Sequence, residues 1–153
     1  MNDALQPFLS FRVGEQLYAL PITQVVEVAV MVALERLPQA PAALLGIANR
    51  HGQALPILNM GALFGASDAR HTPRLDDLFI VVSPDGKAQD RRLLGLWVDE
   101  VQQVHYLDRD YFRPLVGASP YVQTIASDGD GLFQLVALGA LWAVLEAPQE
   151  TGE

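Results

Sequence analysis

Few residues of this chain have the types that carry chemistry, and their spacing turns most of them to other work. The sequence contains three histidines, His51, His71 and His105, and no cysteine. Without cysteine there are no disulfides, no thiolate metal sites and no thiol nucleophiles. The histidines lie far apart without ligand spacing, so His71 and His105 read as surface or hydrogen-bonded residues. Asp76-Asp77 and Asp99-Glu100 are paired carboxylates, but neighbours in sequence do not share a face of a helix or strand. Gly61 to Gly65 has no lysine to hold phosphate, and Gly65-Ala66-Ser67-Asp68 lacks the second glycine of a nucleophile elbow. Asp128-Gly129-Asp130-Gly131 resembles the start of a calcium loop, but Leu132 stands where the third ligand belongs, so a hairpin turn is the better reading. No catalytic constellation, metal site or cofactor is expected.

What remains is a set of polar residues in unusual places. Glu27 sits in the apolar run from Val25 to Leu34, where an uncompensated carboxylate is costly. It either points to solvent from a strand or pairs with Arg50 or His51; periodicity favours the outward reading. Asn49 ahead of Gly52 reads as an Asx-type cap of a turn. Pro56 inside a strand implies an edge or a bulge, because proline cannot donate to the ladder. Trp97 is either a core residue or an interface anchor.

The elements that position these residues follow from an internal repeat. The stretch Leu45 to Phe64 returns as far as Trp142 without insertion or deletion. Ile47-Ala48 answers to Ile125-Ala126, Leu55 to Phe133, Ile57 to Leu135, and Met60-Gly61-Ala62-Leu63-Phe64 to Leu138-Gly139-Ala140-Leu141-Trp142. At a slightly shorter offset, Tyr18 answers to Leu94, Leu20 to Leu96, Val25 to Val101 and Val28 to Val104. Strands are predicted at Phe8–Val13, Gln16–Leu20, Leu78–Val82, Arg92–Val98 and Val101–Leu107, with a hairpin from Tyr121 to Leu138. Val28 to Leu34 reads as a strand buried on both sides. Helical turns are predicted around Ile22–Val26, Ala42–Leu45 and Asp99–Val101, a short helix at Met60–Phe64 and a closing helix from Gly139 to Glu146. Phe112 to Pro120 reads as a loop, Ser83-Pro84-Asp85-Gly86 as a turn and Gly65 to Asp76 as the linker between halves.

Short strands with frequent turns, repeated twice, predict two small β-barrels packed on each other with a groove between them. Half of the 153 residues are hydrophobic and 18% are charged, enough apolar matter for a sizeable core. The formal net charge of -8 argues against nucleic acid and anionic membranes as partners. No signal peptide is apparent, and no run reaches the ~20 apolar residues of a spanning helix. A soluble cytoplasmic protein is expected.

Two blocks then resemble a known family. They are the Gly46-x-x-Asn49-x-x-Gly52-x-x-x-Pro56 spacing and Leu94-Gly95-Leu96-Trp97-Val98-Asp99-Glu100-Val101. With Phe8-Leu9-Ser10-Phe11, Tyr18-Ala19-Leu20-Pro21-Ile22 and Val25-Val26-Glu27-Val28, they resemble the CheW-like coupling domain of bacterial chemosensory arrays. The resemblance implies a mainly β fold of two SH3-like five-stranded barrels with short helices between strands and at the C-terminus. It covers 8–146 as one domain of two pseudo-repeated barrels, open to an exchange of terminal strands, with flexible tails at 1–7 and 147–153. It implies a non-enzymatic adaptor between the cytoplasmic tip of a methyl-accepting chemoreceptor and the regulatory domain of a CheA-type histidine kinase. Contacts with these partners are assigned to Glu27, Val28, Asn49, Arg50, His51, Gly52, Pro56 and Trp97. The family writes Asn-Leu-Arg-Gly where this chain has Asn49-Arg50-His51-Gly52, so Glu27 is expected to lack its usual arginine partner. The family's Asp-Leu-Arg after the branched pair is also replaced, by Asn59-Met60-Gly61. Two alternatives remain open: a kinase-binding regulator that has lost receptor contact, and a small-ligand-binding β-barrel.

Overall fold

The computed structural model describes residues 5–83, 92–115, 119–129 and 131–146. β1 (Leu5–Val13) and β2 (Gln16–Pro21) form a hairpin at Gly14, which takes a φ of 61° that glycine adopts without a Cβ clash. A 3-10 turn over Ile22–Gln24 leads to β3 (Val25–Val30); β4 (Leu44–Arg50) and β5 (Gln53–Asn59) form the next hairpin, followed by α1 (Met60–Leu63). The second half repeats the order with β6 (Leu78–Val82), β7 (Leu94–Trp97) and β8 (Glu100–Asp108). After a 3-10 turn at Arg109–Tyr111 come β9 (Phe112–Pro114), β10 (Val122–Ser127), β11 (Leu132–Val136) and α2 (Leu138–Glu146).

These strands build two sheets, ordered β8-β1-β2-β11-β10-β9 and β3-β6-β7-β5-β4. Each sheet takes the first two repeat strands from one half of the chain and the rest, four in the first sheet and three in the second, from the other half. The register carries the repeat through residue by residue. β11 pairs parallel to β2 with Leu135 opposite Ala19, and β5 pairs parallel to β7 with Ile57 opposite Gly95. Likewise Leu9 faces Val104 and Phe11 faces Val101, while Ile80 faces Val28 and Val82 faces Val25. The two offsets found in the sequence are therefore the two seams of one pseudo-twofold exchange.

The exchange explains where the core lies. Phe8, Ala19, Leu107, Ala126 and Phe133 fill one barrel, and Ala48, Leu55, Ile57, Phe79, Val81 and Trp97 fill the other. The alternate residues Leu9, Phe11, Leu20, Ile80, Val82, Leu94 and Leu96 fill the space between, closed by Leu141 and Trp142 of α2. β1, β2, β6 and β7 are thus apolar on both faces because both faces are covered, and each fully buried Leu, Ile or Phe contributes roughly 1.5–3 kcal/mol.

That arrangement corrects several sequence expectations. Val28 to Leu34 is not a strand buried on both sides: β3 ends at Val30, lies at a sheet edge, and leaves Val28, Val30 and Val32 40%, 55% and 46% exposed. The doubly covered places are already taken by the exchanged strands. Ala42–Leu45 is not helical, since Leu44 and Leu45 begin β4 and pair toward β5. Val25 and Val26 belong to β3, leaving only Ile22–Gln24 as a turn. Glu100 and Val101 belong to β8, and Asp99 serves the β1–β2 hairpin, accepting from Gly14 N at 2.6 Å. Part of the expected loop after Phe112 is β9, drawn into the sheet beside β10. Leu5 to Pro7 extend β1 rather than fray. The expected turn at Ser83–Gly86 lies mostly outside the described residues, as do residues 1–4 and 147–153.

Candidate functional site

The β4–β5 turn gathers most of the residues singled out in the sequence. Asn49 Oδ1 accepts from Gly52 N at 2.8 Å, the expected turn cap. His51 and Gly52 have φ of 53° and 84°, the two positive values of a tight primed hairpin turn. This geometry turns Arg50 back across the barrel mouth, where its Nε donates to Glu27 Oε2 at 2.7 Å. Glu27 is half-exposed yet paired, which selects the pairing alternative over the outward-facing one; its partner is Arg50, while the position of the family's arginine holds His51. His51 is exposed and takes no part in that pair. Beside it, Arg50, Gln53, Ala54, Leu55 and Leu93 line a shallow cavity of about 330 Å³.

Val28 points away from this turn, on the exposed face of β3 with Val30 and, across on β6, Leu78. Pro56 sits opposite Ile47 in an interior strand, not at an edge of the sheet. β7 reaches only Ile57 to Asn59, however, so Pro56 falls where β5 is paired on one side and its missing N–H costs nothing. Trp97 is 3% exposed and belongs to the core, so it cannot anchor a partner directly. Arg70 stacks over its ring at 5.1 Å and also pairs with Asp77 at 3.0 Å. Burial pushes the Asp77 carboxyl up, but the Arg74 N–H and the Arg70 guanidinium outweigh it and the net shift is downward. The Trp97 N–H leans on the same carboxylate without reaching hydrogen-bond geometry.

Two features escaped the sequence reading. The first is the aromatic lining of the expected groove between the barrels, a line of rings: Phe11 to Tyr18 at 5.9 Å, Tyr18 to Phe64 at 4.7 Å, Phe64 to Tyr121 at 5.9 Å. Cavities of about 370 and 310 Å³ open on either side of Tyr18 and Phe64. Burial pushes the Tyr18 phenol up and keeps it neutral. These rings come from β1, β2, the end of α1 and the approach to β10, so no sequence spacing announces them.

The second is a chain of Ser10, His105 and Asp128. His105 Nδ1 lies 2.9 Å from Asp128 Oδ2, and Nε2 lies 3.0 Å from Ser10 Oγ. The order matches that of a hydrolytic triad, but Ser10 is fully buried and its hydroxyl is already engaged by Gln103 of β8. A nucleophile needs open space for its substrate, so this chain is structural. Among the described residues no group of acids, histidines or cysteines could hold a metal ion. Among them, too, no helix is long and apolar enough to cross a membrane.

The two exchanged barrels have counterparts among known proteins. The sequence model of the CheW-like domain matches residues 7–146. The chain belongs to the CheW-like domain family. It is 30% identical over 115 residues to a probable chemotaxis protein CheW of Rhizobium etli, covering 74% of this chain and 69% of that protein. It is 33% identical over 111 residues to the chemotaxis protein CheW of Rhizobium meliloti, covering 72% and 67%. The crystal structure of the scaffolding protein TtCheW from Thermoanaerobacter tengcongensis superposes with a TM-score of 0.74 at 26% identity, covering 87% of this chain and 89% of that one.

Arg50, one place early in the turn, supplies the guanidinium to Glu27. Asn59 caps α1: its Oδ1 accepts from Ala62 N at 3.2 Å while its Nδ2 donates to Arg70 O at 2.8 Å. The Val98-Asp99-Glu100-Val101 block clasps the two halves, with Asp99 on Gly14 and Glu100 3.4 Å from Arg12.

Proposed function

We propose that this chain is a non-enzymatic scaffold that couples the cytoplasmic tip of a chemoreceptor to the regulatory domain of a CheA-type histidine kinase. The observation that carries the reading is the inter-barrel groove, whose aromatic floor of Tyr18, Phe64 and Tyr121 has open cavities on both flanks. A floor of that kind suits the apolar ridge of a helical hairpin. Its rim is polar, with Glu15, Asp68, Ser119 and Gln134, and no reactive group stands at its centre. The kinase domain, itself CheW-like in this family's arrays, is assigned to the exposed apolar edge of β3, with Val28 and Val30. The Glu27–Arg50 pair and the Asn49–Gly52 turn border the receptor side.

The test is a binding measurement of the full chain with both cognate proteins. Recovery of both supports the coupling role. Recovery of the kinase domain alone selects a regulator without receptor contact, and recovery of neither overturns the reading. Phe64→Ala is expected to weaken receptor binding at least tenfold while leaving kinase binding in place.

A further inference from the structure

Between α1 and β6 the linker forms neither helix nor strand, yet two glycines give it close seats. A Cβ on Gly61 of α1 would come within 3.1 Å of Ala69 Cβ. One on Gly14, in the β1–β2 hairpin, would come within 3.2 Å of Ala66 Cβ. Both distances are tighter than ordinary van der Waals contact, so the linker lies this close because two side chains are missing. Gly139, the counterpart of Gly61 in α2, meets nothing within 4 Å among the described residues. There the helix runs on to Glu146. In the first copy α1 stops at Leu63, and Gly65, at a φ of 73°, turns the chain away.

That departure carries the linker along the groove. Ala66, Ser67 and Asp68 line the cavity of about 370 Å³ beside Tyr18, together with Gly14, Glu15 and Gln16 of the hairpin. Backbone bonds shape this stretch: Ala66 N donates to Gly61 O at 2.9 Å, and Ala69 N to Ala66 O at 3.2 Å. The next residue, Arg70, makes three ties. Its carbonyl accepts from Asn59 Nδ2 at 2.8 Å, and its guanidinium donates to Asp77 Oδ2 at 3.0 Å and lies 5.1 Å over the Trp97 ring. Asn59 and Trp97 stand opposite each other where β5 of one half pairs with β7 of the other. Arg70 is therefore fastened at a seam of the exchange. Asp77 is itself held, its carbonyl accepting from Met31 N at 2.8 Å and its carboxylate from Arg74 N at 2.7 Å.

We propose that the linker is a built wall of the groove and that Arg70 is its positioning residue, fixing where the wall stands relative to Tyr18. The inference rests on the groove being the receptor's docking place. Arg70 is not among the residues lining the cavity, so it acts through Ala66, Ser67 and Asp68. Its chemistry suits the task, because the flat face of a guanidinium covers a ring while its edge pairs with a carboxylate. An ammonium does one or the other less well. The same contact gives buried Trp97 an indirect part in binding, as the surface on which the wall is anchored. A wall held in place before the partner arrives removes the cost of ordering it on binding.

The test reads the wall and the binding separately, in the full chain. Because the sequence has no cysteine, Ser67→Cys gives a single site for a nitroxide label on the wall. The label's mobility by electron paramagnetic resonance is compared with Arg70 present and in Arg70→Ala and Arg70→Lys. Arg70→Ala is expected to free the label and Arg70→Lys to free it part way, with the circular dichroism of the strands unchanged. In the unlabelled chains Arg70→Ala is expected to weaken receptor binding about tenfold, the cost of ordering a loop and its side chains, while kinase binding holds. A label as still in Arg70→Ala as in the parent overturns the proposal. A freed label with undiminished receptor binding supports the wall and overturns the groove as the docking place. If Arg70→Ala does not fold, Arg70→Lys decides by the same two readings, and a label as still as the parent's ends the proposal.

Discussion

Arg50, and not His51, is the partner of Glu27. The tight turn makes this possible: with His51 and Gly52 both at positive φ, the residue before them swings toward Glu27. A double-mutant cycle on Glu27→Ala and Arg50→Ala should give a coupling of about 0.5–1 kcal/mol by denaturant unfolding, as for a partly exposed pair. A coupling near zero would mean that the turn, and not the charge, holds this corner. Asp77 makes a pH-dependent prediction. Its folded carboxyl titrates below its ordinary value of 3.8, so its contribution is present above that value and lost as pH falls through the lower folded one. Asp77→Asn should therefore destabilise the chain at neutral pH, with the gap closing under strongly acidic conditions; a gap independent of pH would refute it. The residue types at Asn49 and Gly52 were readable because a turn cap is local. The Glu27–Arg50 pair was one of two open alternatives, and the Ser10–His105–Asp128 contacts were not read at all, because only the fold brings their segments together.

At the level of elements, hydrophobic runs misled where burial on two faces had to be told from exposure on one. Val25 to Leu34 and Leu78 to Val82 look alike in composition. The second is sandwiched between a barrel interior and the inter-barrel core, whereas β3 has only the barrel interior behind it. Its outward residues follow a simple alternation, Val28 and Val30 out and Ala29 in, that the continuous β-branched run concealed. That exposed edge yields a direct prediction. Val30→Asp should leave the unfolding midpoint nearly unchanged and weaken binding of the kinase regulatory domain at least tenfold, as measured by calorimetry. Unchanged affinity would move the kinase contact elsewhere on the surface. The helical reading of Ala42–Leu45 failed for a related reason: good helix formers gave way to a strand because β5 offered Leu44 and Gly46 a ladder.

The whole molecule was legible as a duplication, and the sequence offsets match the strand registers one for one. What the repeat could not tell is that the copies interlock. β1 and β2 finish the barrel of the second half, and β6 and β7 finish that of the first. Cutting the chain within the linker, between residues 71 and 72, should leave neither fragment folded as a monomer, while mixing the two restores the β signal in circular dichroism. A native-like monomer from either fragment would contradict the exchange. Unfolding of the intact chain should be a single transition by every probe.

The interlocking also bears on ancestry. A polypeptide with one repeat would own a hairpin that its own barrel cannot seat and a gap that its own hairpin cannot fill. Two such polypeptides would fill each other's gaps, as a symmetric pair with swapped arms. Joining them end to end gives the present topology without moving a strand, and it frees the twin sites to diverge. The turn position is shared, Arg50 in one copy and Asp128 in the other, but each has found its own partner: Glu27 and His105 stand two places apart in the repeat.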